Sequence, residues 1–105
     1  MADIWEVLAR AEGFEWDSGN APKIWDRHEV SPGEAEQVFF NRPLVAKPDT
    51  RHSQQEKRFY ALGQTDGDRY LFVVFTLRKK LIRIISARNM SRRERREYER
   101  GKEES

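Results

Sequence analysis

Arginine is the residue whose placement in this chain asks for chemistry. The segment Leu81–Arg88, LIRIISAR, puts Arg83 in the middle of an apolar run. Strict alternation sets Leu81, Arg83, Ile85 and Ala87 on one face of a strand and Ile82, Ile84 and Ser86 on the other. Burying a guanidinium without a partner is costly. Arg83 therefore either pairs with a carboxylate, for which Glu56 is the candidate, or faces a cleft that receives an anion. Planar bidentate recognition suits carboxylate and phosphate alike. Arg88 ends the same strand, where it can meet a ligand, cap the following helix or sit in a solvated turn. Arg58 opens an earlier strand. Three arginines near one sheet can bracket a phosphodiester.

His52 and Glu56 lie in the polar stretch Asp49–Lys57. Imidazole and carboxylate can exchange a proton near neutral pH, although a His in a loop is more often simply exposed. His28 falls at the end of a helix, where a cation suits the helix dipole. The C-terminal segment places Arg92, Arg96 and Arg100 in one basic stripe, with Glu94–Tyr98 and Arg93–Glu97 at i, i+4. It reads either as a surface helix held by opposite charges or as a phosphate-tracking face, with Tyr98 a stacking or proton-transfer group.

Other chemistries are missing from the 105 residues. There is no glycine-rich phosphate loop, no G-x-S-x-G and no H-E-x-x-H. Absence of Cys excludes disulfides and thiolate zinc sites, and two His leave too few ligands for an obvious metal site. No cofactor is expected. The longest apolar run is Tyr70–Phe75, far short of the roughly 20 residues that span a bilayer. The segment MADIWEVLARAEG lacks a basic start and a long apolar stretch, so it does not read as a signal peptide. A cytoplasmic protein without membrane contact is expected.

The net charge of +2 conceals a segregation. Met1–Phe75 carries 9 basic and 13 acidic residues, whereas Thr76–Arg100 carries 10 basic and 3 acidic. Clustered Lys and Arg are the footprint of a polyanion site.

The elements that must position these groups fall in a simple order. Residues 1–13 hold a short helix over Ile4–Ala11, capped by Asp3 and stopped by Gly13. Residues 14–43 are mainly helical. Phe14-Glu15-Trp16 is short and extended, Asp17 or Ser18 caps a helix to about His28, and Ile24 and Trp25 point inward. Ser31-Pro32-Gly33-Glu34 is a capping box that opens a helix to about Phe40. Residues 44–88 alternate with period two: strands at Leu44–Ala46, Arg58–Thr65, Arg69–Leu77 and Leu81–Ala87. Their turns are Asp66-Gly67-Asp68, with Gly67 available for positive φ, and the basic Arg78-Lys79-Lys80. Ser91-Arg92-Arg93-Glu94 is a second capping box, opening a helix over 91–103. One α+β domain follows: N-terminal helices, a four-stranded antiparallel meander and a C-terminal helix.

The string FEWD (Phe14–Asp17), His28-Glu29-Val30-Ser31, Glu34-Ala35 and Val38-Phe39 resembles the front half of the BrnT family of bacterial toxins. So do His52, Glu56, Arg58-Phe59, Leu62-Gly63 and Val73-Val74-Phe75-Thr76 with Arg78. The most specific part is Ile82–Arg88, I-R-I-I-S-A-R, followed by Arg92–Tyr98 with Glu94, Arg95 and Tyr98 in place. The resemblance covers about residues 14–100. It implies a RelE-like ribonuclease fold and a toxin of a type II toxin–antitoxin system. It implies cleavage of RNA, translation inhibition, neutralisation by a BrnA-like antitoxin, and promoter DNA binding only through the complex. It also implies roles: Arg83 and Arg58 on the phosphate, His52 with Glu56 in proton transfer, and Tyr98 as a further catalytic group. Arg88, Arg78, Lys79, Lys80, Arg92 and Arg96 would hold the RNA backbone. The alternative is a module that binds RNA or a partner through the basic C-terminal face without cutting. The chain departs from the family where Asn20, Ile24, Arg27 and Glu29 replace the usual Lys, Asn, Lys and Gly.

Overall fold

A computed structural model describes residues 4–52 and 56–104. The order is α1 (Ile4–Ala9), β1 (Gly13–Glu15), α2 (Ala21–His28), α3 (Pro32–Phe40), β2 (Val45–Pro48), a 3-10 turn at Thr50–His52, β3 (Phe59–Gln64), β4 (Tyr70–Arg78), β5 (Leu81–Asn89) and α4 (Arg92–Glu104). The fold is α+β, but the sheet has five strands in the order β1-β5-β4-β3-β2. β2 to β5 form the antiparallel meander, and β1 adds to its edge parallel to β5, pairing Phe14 with Ile82 and Glu15 with Arg83. The four-stranded expectation is corrected by this three-residue strand, whose partner lies too far along the chain for local periodicity to reveal.

One sheet face carries Phe59, Ala61, Val73, Phe75, Ile84 and Ala87, all buried against the helices that precede β2. Phe39 of α3 meets Phe75 edge-on at 5.0 Å, and Phe75 stacks on Phe59 at 5.6 Å. Gly63 permits this close approach of α3, because a Cβ there would meet Val38 Cγ1 at 2.7 Å. The six residues of α1 add Ile4, Val7 and Leu8 to the rim of the core. Trp25 is an inward candidate corrected by the structure: it is exposed, and Ile24 alone of α2 is fully buried.

The opposite face is covered by α4 over part of its area only. Tyr98, the one buried aromatic of that charged helix, packs edge-on against Tyr70 at 5.9 Å. Its hydroxyl lies 2.8 Å from Pro43 O, to which it donates, and 3.1 Å from Gln64 Oε1. Arg95 lies flat over Tyr70, 3.4 Å from the ring centre. Tyr60 donates to Glu97 at 2.7 Å, and Lys47 pairs with the same carboxylate. Glu97 is thus bound to the sheet, and among the described residues the i, i+4 ion pair on α4 is Arg95–Glu99.

Both capping boxes form. Ser31 Oγ accepts from Glu34 N while the Glu34 carboxylate accepts from Ser31 N, and Ser91 with Glu94 repeats the pattern. The cap of α2 is Asn20, not Asp17 or Ser18. In the Asp66–Asp68 turn the positive φ falls on Asp68 at 64°, not on Gly67. Lys79 and Lys80, at φ 49° and 67°, make the tight turn between β4 and β5.

Glu29 closes α2 at φ 53°, ψ 39°, the left-handed conformation that favours glycine. That is where the chain departs from the glycine of the resembled family. Glu29→Gly should therefore raise the unfolding free energy by up to about 1 kcal/mol in chemical denaturation. A loss of stability would contradict the assigned strain.

Candidate functional site

Alternation along β5 is broken once. Val74 pairs with Ser86 but Phe75 pairs with Ile84, so Ile85 is an extra residue in a β-bulge. Ala87 is thereby moved to the core face with Ile82 and Ile84, correcting the expectation that it shares a face with Arg83. Ser86 and Arg88 join Arg83 on the opposite face, beside Thr76, Val74 and Phe72. The bulge aims the two arginines of one strand at the same side.

Asn20 fixes this geometry. It is 3% exposed, and its amide makes four hydrogen bonds. Nδ2 donates to Glu15 O and to Ile84 O, both at 3.0 Å. Oδ1 accepts from Asp17 N at 2.8 Å and from Ala21 N at 2.9 Å. One side chain thus joins the end of β1, the bulged part of β5, the turn at Asp17 and the start of α2. Its donor and acceptor capacity is used completely.

The turn that Asn20 holds delivers Asp17 to Arg83. Arg83 Nη1 donates to Asp17 Oδ2 at 2.9 Å and Nη2 to Asp17 Oδ1 at 3.1 Å, while Nη1 also donates to Glu15 Oε1 at 2.8 Å. The Arg83 side chain is only 14% exposed. Gly19 leaves room for the pair, since a Cβ there would sit 3.0 Å from both Arg83 Nη2 and Asp17 Oδ1. Pairing is what the structure shows for Arg83, but the partner is corrected: Asp17 and Glu15 take it, and Glu56 is held by Arg78 at 3.1 and 3.2 Å. Glu15 also lies 3.9 Å from Arg78, so Asp17, Arg83, Glu15, Arg78 and Glu56 form one alternating chain of charge.

Arg58 precedes β3, whose first residue faces Phe75, and so stands beside Thr76. Its positive field reaches Glu56 together with those of Arg78 and Arg83. The buried Thr76 hydroxyl donates to Lys57 O at 2.7 Å and ties this segment to β4. Arg58, Arg78, Arg83 and Glu56 are therefore neighbours on one open part of the sheet. His52 ends the 3-10 turn that leads toward them; its side chain lies outside the described residues.

Arg88 stands further along the same face. It forks onto Glu94 at 2.7 and 2.8 Å and lies 4.4 Å above the Phe72 ring. It thus joins β5 to the capping box of α4. Arg92 and Arg96 are exposed on α4, as are Lys79 and Lys80 at the hairpin tip. Lys80 reaches Glu12 at 3.7 Å. The catalytic expectation for Tyr98 is corrected. Its ring is fully buried, its hydroxyl is engaged by Pro43 and Gln64, and burial pushes its pKa up to about 12. Tyr70, which it touches, is six residues along β4 from Thr76, about 20 Å at 3.3 Å per residue. Tyr98 anchors α4.

Asn20, Glu15, Asp17 and Arg69 are the residues that the sequence reading did not assign. Arg69 donates to His28 O, Glu29 O and Asn89 Oδ1 and pairs with Glu34, closing the end of α2 against the sheet. The signal for Asp17 and Asn20 was present in Asp17-x-x-Asn20, a spacing suited to a side-chain-capped turn.

The chain is thus an α+β domain with one sheet face of arginines held by carboxylates. The family model described as the ribonuclease toxin BrnT of type II toxin–antitoxin systems matches residues 16–94. The chain belongs to this family. A comparison with curated proteins finds no match. Among the described residues, no helix is long and apolar enough to cross a membrane.

Two outcomes follow from the network. Asn20→Ala leaves Ile84 O, Glu15 O and Asp17 N without their partner and should cost about 3 kcal/mol in urea denaturation; a cost below about 0.5 kcal/mol would refute its central place. The carboxyls of Asp17 and Glu56 are held below their ordinary 3.8 and 4.5 by hydrogen bonds from Arg83 and Arg78. For Glu34 and Glu94 burial works upward, but Ser31 with Arg69, and Arg88 with Ser91, outweigh it. Lowered folded values stabilise above the unfolded pKa. Stability should therefore hold from pH 7 to about 5 and fall as pH drops through 4.5 and 3.8. A denaturation midpoint constant down to pH 3 would contradict these pairings.

Proposed function

We propose that this chain is a toxin that cleaves RNA and thereby blocks translation, acting in the cytoplasm without a metal ion and silenced by a BrnA-like antitoxin. Promoter DNA would be bound only by the toxin–antitoxin complex. The observation that carries this reading is the open sheet patch on which Arg58, Arg78, Arg83 and Glu56 stand together beside the bulge. Family membership supplies the reaction class.

The chemistry needs a base, a cationic clamp and an acid. A phosphate entering the patch exchanges with Asp17 and Glu56 for the guanidinium groups of Arg83 and Arg78. Glu56, a carboxylate released from Arg78 as phosphate takes its place, is the group to take the proton of the RNA 2′-OH. The 2′ oxygen attacks phosphorus, Arg83 and Arg58 balance the pentacovalent charge, and the bond to the 5′ oxygen breaks. A proton from His52 completes the leaving hydroxyl. The products are a 2′,3′-cyclic phosphate and a 5′-OH end. Arg88, Lys79, Lys80, Arg92 and Arg96 hold the flanking backbone, the last two as exposed cations on α4. The ion pairs of Arg83 also suit the second reading, a module that binds RNA without cutting.

Induced expression should arrest growth, and purified protein should cleave RNA with EDTA present, leaving 5′-OH ends. Arg83→Ala and Arg58→Ala should remain folded, lose about 100-fold or more in cleavage and still bind RNA. Tyr98→Phe should cut at a near-normal rate. Intact RNA with the wild-type protein would exclude the ribonuclease reading. Equal loss of binding and cleavage in the arginine variants would favour the binding module.

A further inference from the structure

The helical side of the molecule carries an apolar groove that the arginine face does not use. Trp5 is 48% exposed and Phe40 74%. Single exposed apolar residues are ordinary on a protein surface. These two line the same cavity, about 490 Å³, over a floor of Leu8, Phe14, Phe39 and Leu44. Phe40 holds its place by an edge-on contact with Phe14 at 6.1 Å. Two adjoining cavities of about 650 and 560 Å³ share Trp5 and continue the groove toward Lys102 and Arg100.

The rim is cationic. Arg42 donates only to the carbonyls of Phe39 and Asn41, and Arg100 has no carboxylate partner among the described residues. The two acids on the rim are engaged elsewhere, Glu12 by Lys80 and Glu97 by Tyr60 and Lys47. An apolar floor between spare arginines is the complement of a helix with an apolar stripe flanked by acids. Nucleobases fit less well. They stack on open aromatic faces, whereas Phe14 and Phe39 are locked edge-to-face at 5.6 Å and the floor is otherwise aliphatic.

We propose that this groove docks an acidic amphipathic helix of the protein antitoxin, with Trp5 and Phe40 as its apolar anchors and Arg42 and Arg100 as its charge partners. The proposal rests on the reading of the chain as an antitoxin-restrained toxin and names the surface where restraint begins. Docking on the helical side grips the toxin without occupying the Arg83 patch.

The probe is a synthetic helical peptide of about 18 residues, about 27 Å long, with Leu at i, i+3, i+4 and i+7 and Glu at the flanks. It is titrated into the isotope-labelled full chain and followed by NMR, beside the same peptide with Lys for Glu and a short single-stranded RNA. The acidic peptide should shift the Trp5 indole N–H and the Phe40 and Arg42 amides saturably. Trp5→Ala with Phe40→Ser should weaken it at least tenfold, as should Arg42→Glu with Arg100→Glu. RNA cleavage by the Trp5→Ala with Phe40→Ser variant, which touches no arginine, should stay within about twofold of wild type and so reads the proposed activity separately from the docking. No saturable shift at Trp5 and Phe40, equal binding of the lysine peptide, or shifts there from RNA instead would overturn the proposal. So would concentration-dependent shifts without peptide, which would assign the groove to a second copy of the chain.

Discussion

The buried amide of Asn20 is the constraint on which the rest of the cationic face depends. Its two donors take the carbonyls of Glu15 and Ile84, and its two acceptor positions take the amides of Asp17 and Ala21. A buried amide with every position used is rigid, since each alternative rotamer breaks several hydrogen bonds at once. Through it the edge strand β1 is fixed to β5, the bulge at Ile85 is held, and the turn carrying Asp17 is set opposite Arg83. The direction of Arg83 follows from the bulge, and its company follows from the turn.

That company changes the meaning of the charge segregation. The acidic front of the chain and its basic rear do not remain apart as two poles. Glu15, Asp17 and Glu56 fold back onto Arg83 and Arg78. Among the described residues, the cations without a carboxylate partner include Arg92, Arg93, Arg96 and Arg100 along the outside of α4. A polyanion would meet these first and then exchange with carboxylates already arranged around the inner guanidinium groups. The inner arginines are thereby oriented in advance, which lowers the cost of ordering them around a phosphate.

How far the sequence discloses this differs from element to element, for physical reasons. α3 and α4 are legible because a capping box is complete within four residues. The meander is legible because period-two alternation is local. β1 is not, because three residues carry too little pattern and their pairing is with a strand nearly 70 positions away. The bulge is hidden because the bond that holds it comes from Asn20. Tyr98 is misread because a run of charge draws attention to the solvent side, while the single apolar ring of that run is what attaches the helix. Among the site residues, Arg83 and Arg88 are conspicuous as charges in an apolar strand; that they share a face is visible only once the extra residue is counted. The gathering of Arg58, Arg78 and Glu56 requires the β3–β4 register.

The most direct test of the central claim is an NMR titration of arginine Nε–H signals with a 2′-O-methyl RNA oligonucleotide, which binds without being cut. The structure predicts that the Arg83 and Arg78 signals shift together as phosphate replaces Asp17 and Glu56, with Arg88 following. Arg69, which clamps the end of α2 on the helical side, should stay in place. Shifts confined to the outer arginines of α4, with Arg83 and Arg78 still bound to their carboxylates at saturation, would contradict the account.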